Sequence, residues 1–163
     1  MRTAIDGRDG AGMREYTVRL AAGCLFLWMA AVPDLRTREI PVWIPASFAA
    51  AALAANLFLP SGIDRLELWA GALPGAVFWL LSFLCKGKIG EGDGICLLVS
   101  GLMSGLTHAV LLAETALILA AIAGGISMWT RQRRAGDKIP FIPFLAAAQS
   151  LLLAAQIVMT LHT

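Results

Sequence analysis

From Gly94 to Trp129 the chain runs for 36 residues with Glu114 as its only formal charge. A single helix of that length would measure about 54 Å, against a bilayer hydrocarbon core of about 30 Å. The stretch therefore has to fold back on itself. The best break is Ser104-Gly105-Leu106-Thr107-His108, which combines small flexible residues with the most polar pair in the run. This predicts a short helix over about 95–103 and a full-length one over about 109–129.

The rest of the chain is consistent with that solvent. Apolar residues make up 58% of the 163 and charged residues only 15%, well outside the averages for water-soluble domains. The charges cluster at the N-terminus and around 34–39, 61–67, 86–93 and 131–138, leaving apolar stretches long enough to cross a bilayer between them. These predict further spans over about Tyr16–Pro33, Val42–Leu59, Leu68–Cys85 and 141–161. Residues 1–15 read as a polar arm, and 16–163 as a single transmembrane domain. Backbone groups in hydrocarbon must hydrogen-bond internally, and no two-residue alternation of a membrane strand is present. The expected fold is an all-α membrane protein, a polytopic bundle of about six transmembrane helices.

Lys and Arg set the orientation. The loops 34–41, 86–94 and 130–140 fall on one side and hold Arg36, Arg38, Lys86, Lys88, Arg131, Arg133, Arg134 and Lys138, whereas the opposite loops hold Arg65. The basic side is expected to face the cytoplasm. Arg2, Arg8, Arg14 and Arg19 in the N-terminal region then run against the rule, partly offset by Asp6, Asp9 and Glu15.

Several functions have little support. No basic patch interleaved with aromatics suggests a nucleic-acid partner. Cys24, Cys85 and Cys96 are odd in number and lie in apolar segments, the pattern of buried free thiols. His108 reads as a loop residue at the bend and His162 as terminal. Neither has partners at metal-ligand spacing, so no metal and no cofactor are expected. Glu114 is either an intramembrane functional acid or an acid near the outer interface.

Two carboxylates remain. On this topology Asp34 lies at the end of the first span and Asp93 at the entrance of the short fourth helix, on the same membrane face. By position alone they are as compatible with ordinary interfacial charges as with a functional pair. Their surroundings distinguish them. Gly90-Glu91-Gly92-Asp93-Gly94 places one aspartate among three glycines, where the backbone is free to take unusual conformations or be approached closely. Asp34-Leu35-Arg36-Thr37-Arg38-Glu39-Ile40-Pro41 surrounds the other, and Ile139-Pro140-Phe141-Ile142-Pro143-Phe144 opens the last span.

In this order and on one face, these three segments resemble the prepilin peptidase family, membrane aspartic proteases of the GxGD type, over roughly residues 16–160. The resemblance implies Asp34 and Asp93 as the catalytic pair. Gly90, Gly92, Gly94, Arg38 and Pro41 would support the catalytic loops, and Pro140, Phe141 and Pro143 form a structural motif. It implies as partner a type IV prepilin or pilin-like precursor, cut in its basic leader on the cytoplasmic side of the inner membrane. Glu39 and Glu91 are candidate contacts for that leader. Two positions depart from the family pattern. Val42 stands where Asn is common, and Ile95 where a Lys two residues after the second aspartate is common. The paired-cysteine loop of bifunctional members, associated with N-methylation, is absent, so peptidase activity alone is expected. The competing readings are a non-catalytic assembly protein and a small proton-coupled transporter.

Overall fold

The computed structural model describes residues 2–37, 39–59, 62–84, 90–129 and 140–162. Arg38, Cys85, Lys86, Lys88 and the basic loop 131–138 lie outside the described residues. Among the described residues every regular element is helical: α1 (Arg2–Thr37), α2 (Trp43–Phe58), α3 (Arg65–Ala70), α4 (Ala72–Leu84), α5 (Glu91–Ser104), α6 (Leu106–Trp129) and α7 (Ile142–His162). The helices α3 and α4 meet at Gly71, whose own backbone is right-handed helical. They form one rod, so the described residues make six rods. Four segments are long and apolar enough to cross a bilayer: Gly12–Thr37, Arg65–Leu84, Leu106–Ser127 and Ile142–Leu161. This is the all-α membrane bundle expected from hydropathy.

The fold-back falls at Gly105. It is the one described glycine with a positive φ, at 92°, a conformation that a Cβ disfavours and glycine adopts freely. Its N–H still bonds to Gly101 O at 2.8 Å, closing α5 as the chain reverses into α6. At 14 residues, α5 is about 21 Å long, too short to cross alone. It forms the centre of the bundle instead, with Cys96, Leu97, Val99 and Gly101 buried among the surrounding helices. Phe26 and Leu27 from α1, Leu112 from α6 and Leu145 from α7 complete the same core.

Two boundaries differ from the sequence reading. The helix α1 begins at Arg2 instead of at Tyr16, so the segment read as a polar arm continues the first rod. It also passes through Pro33 and ends at Thr37. A proline there removes the N–H donor that would pair with the Met29 carbonyl, yet the helix continues through it for one more turn. Asp34 therefore sits in the final turn of α1 and not in the loop after it.

His108 also differs. It is a buried residue of α6, not part of an exposed bend. Its Nε2 lies 2.8 Å from Gln149 Oε1 and its Nδ1 3.3 Å from Tyr16 Oη. Gln149 Nε2 donates in turn to Leu20 O at 3.0 Å. This chain of polar groups ties α1, α6 and α7 together at the end of the bundle away from the aspartates.

Candidate functional site

A cavity of about 720 Å³ lies where the end of α1, the start of α2 and the start of α5 converge. Asp34 comes from α1 and Asp93 from the first turn of α5. Both line this cavity, together with Gly90, Gly92, Glu39 and Glu91. Residues separated by some 60 positions in sequence are thus brought to one space by the packing of α1 against α5.

The glycines are there for room, not for unusual dihedrals. Gly90 has φ −65° and ψ 124°, which any residue can adopt. A Cβ on Gly90, however, would stand 2.7 Å from Asp93 Oδ2, inside van der Waals contact. One on Gly92 would meet Ile40 Cδ1 at 2.5 Å, and Gly94 leaves space for the backbone of Trp79 on α4. Gly94 thereby seats α5 against α4 without lining the cavity.

Asp93 lies outside the four segments long enough to cross. Its carboxyl is pushed up to about 7, first by burial, then by the charge of Asp34, while a backbone hydrogen bond at Gly90 acts in the opposite direction. Two neighbouring carboxylates in a poorly solvated site cannot both ionise without cost. Asp34 is itself 8% exposed. Glu39 and Glu91 are exposed.

Of the supporting residues expected from sequence, Pro41, Pro140, Phe141 and Pro143 do not line the cavity, and Arg38 is outside the described residues. Pro41 is exposed, and its carbonyl accepts from Ile44 N at 3.0 Å, which starts α2. Pro140 and Phe141 precede α7, whose first turn contains Pro143. The Phe141 carbonyl accepts from Phe144 N and Leu145 N, and its ring stacks on Phe78 of α4 with centroids 6.2 Å apart and planes at 12°. This stack ties the segment that enters the last helix to α4. Among the described residues no three His, Cys, Asp or Glu side chains gather as a metal site would require.

The cavity also has an apolar wall that sequence motifs did not mark. Val42, Pro45, Ala46 and Ala49 line it from α2 and its approach, and Ile95, Leu98 and Val99 from α5. The signal was present as two helical spacings, i, i+3, i+4, i+7 on α2 and i, i+3, i+4 on α5. Both departures from the family pattern, Val42 and Ile95, belong to this wall.

A model of the type IV leader peptidase family matches residues 21–128, more than half of the chain. The chain belongs to the type IV leader peptidase family. The matched region includes Asp34, the whole 90–94 segment and the fold-back at Gly105, and it stops short of α7. Searches of curated proteins and of solved structures returned no match. Family membership makes this a leader-peptidase-like protease embedded in a membrane, with pilin precursors as the class of substrate that the family implies.

Proposed function

We propose that this leader-peptidase-family protein is a membrane aspartic endopeptidase. On this reading it cleaves the leader of type IV pilin-like precursors at the cytoplasmic face of the inner membrane, using Asp34 and Asp93. The observation that carries the reading is that these two carboxylates line one cavity at one end of the bundle. A pair that shares one proton suffices for peptide hydrolysis. The ionised aspartate takes a proton from water as the water oxygen attacks the scissile carbonyl, and the protonated one donates to the carbonyl oxygen. The first then passes its new proton to the leaving amine as the C–N bond breaks, while the second takes a proton back from the tetrahedral hydroxyl, which restores the pair. No serine or cysteine nucleophile is required.

The shape of the cavity supports the substrate class. Its apolar wall on α2 and α5 suits the start of a hydrophobic helix lying in the bilayer. Glu39 and Glu91 suit the Lys and Arg residues of a leader on the aqueous side.

Co-expression with a candidate pilin, followed by immunoblotting for leader loss, tests the pair. Asp34→Asn and Asp93→Asn are each expected to lower cleavage by at least about 100-fold, the usual contribution of a positioned acid or base. Persistent cleavage in either variant rejects the dyad. The apolar residues Val42 and Ile95 at the cavity favour one competing reading, a non-catalytic assembly protein. It requires that the wild type co-purify with pilin while leaving its leader intact.

A further inference from the structure

At the end of the bundle opposite the aspartates, a second cavity of about 240 Å³ opens between α1 and α2. Val18 and Ala22 of α1, Ala51 and Ala55 of α2, and Leu59 give it an apolar lining. Two charged residues one helical turn apart, Glu15 and Arg19, share that lining.

Arg19 is nine-tenths buried, with its side chain 9% exposed. Its Nε donates to Glu15 Oε1 at 3.1 Å. Its Nη1 donates to Asn56 Oδ1 at 2.7 Å and to Met103 O at 3.5 Å. Its Nη2 is buried with no hydrogen-bond partner among the described residues. A guanidinium keeps its charge and all its N–H donors at any physiological pH. Two donors left unmade in a buried site are costly, and the cavity beside them can supply the missing acceptor.

Glu15 is the complementary half. Its Oε1 accepts from Arg19, and its Oε2 accepts from Gly62 N at 3.1 Å. Its side chain is still 32% exposed, with lone pairs available for a further donor. Depth agrees as well. The first crossing segment starts at Gly12, so Arg19 lies about 10 Å further along the helix, the level where long basic side chains reach toward lipid headgroups.

We propose that this cavity binds one zwitterionic, amine-headed phospholipid. A phosphate oxygen accepts from Arg19 Nη2, the ammonium donates to Glu15, and an acyl chain lies along the alanines of α2. An anionic phospholipid offers the phosphate but brings no cation to Glu15, so it binds more weakly.

The test uses the full chain, purified and delipidated in detergent, with thermal unfolding followed in mixed micelles. Phosphatidylethanolamine is expected to raise Tm by about 4 °C or more, and phosphatidylglycerol by less than half as much. Arg19→Met is expected to lose the rise. Ala55→Phe leaves Arg19 and its partners in place but fills the groove, and it is expected to lose the rise too. That variant decides the matter if Arg19→Met does not fold. Equal shifts from the two lipids, or a full shift in Ala55→Phe, overturn the proposal. So does an equal shift from water-soluble glycerophosphoethanolamine, which lacks the acyl chain.

Discussion

Asp93 is held near the midpoint of its titration at neutral pH by burial and by the neighbouring charge of Asp34. An unfolded chain releases that proton near pH 4, whereas the folded site keeps it until about 7. The folded state thus binds the extra proton between those values, and stability falls as pH rises through the window. Thermal unfolding in detergent from pH 4 to 8 is expected to show Tm declining for wild type and a flatter profile for Asp93→Asn, which cannot titrate. Parallel profiles would mean that Asp93 does not carry the proton. On the proposed mechanism, cleavage is lost over the upper part of the same range, because above about 7 the pair no longer holds the proton to be donated. The flanking glycine gives a separate test. Gly90→Ala adds a methyl 2.7 Å from Asp93 Oδ2, and it should depress the cleavage rate about tenfold or more through misplacement of the carboxylate. Its Tm is expected to change little, because Gly90 is exposed and its dihedrals suit alanine.

Helix α5 holds Asp93 in place through contacts along its whole length. Gly71 lies against Gly101, Gly75 against Leu98 and Gly94 against the backbone of Trp79, each so close that an added Cβ would overlap atoms of its neighbour. At the far end, Asn56 Nδ2 donates to Leu102 O at 2.9 Å and Arg19 to Met103 O, satisfying carbonyls that the last turn leaves open. Gly101→Val is therefore expected to cost at least about 2 kcal/mol through overpacking, read as a Tm drop of about 4 °C or more. Gly125→Val, with nothing within 4 Å of the added Cβ, should leave Tm unchanged. The rods and the reversal at Gly105 were legible because hydropathy sets the rods and a span limit of about 30 Å forces a break. Less legible was everything that depends on which faces meet. Pro33 reads as a helix stop by local rule, yet α1 continues through it to Thr37. His108 reads as a bend residue, yet Gln149, 41 positions away, satisfies it. The role of Arg19 and Asn56 at the end of α5 likewise needs three helices to be seen together.

At the scale of the whole molecule the bundle has two chemically distinct ends, and only its placement in the membrane decides which compartment each one faces. One end holds Asp34, Asp93, Glu39 and Glu91 around the large cavity. The other holds Glu15, Asp64 and Glu67, with Tyr16 and His108 behind them. Acid content alone does not separate them. The first end and the loops that leave it contain Arg36, Arg38, Lys86, Lys88 and the basic 131–138 segment, against Arg65 in the loops of the other, where Arg2, Arg8, Arg14 and Arg19 of the first rod run against the rule, and Lys and Arg in loops are retained on the cytoplasmic side. A leader on a newly made precursor is also met from that side. In a cysteine-free background, Glu39→Cys is expected to react with a membrane-impermeant maleimide only in inverted vesicles. Leu66→Cys, at a position 75% exposed near the start of α3, is expected to react only in right-side-out cells. The reverse pattern would put the aspartates on the wrong side of the membrane for an unprocessed leader, and it would reject leader cleavage while leaving the family fold intact.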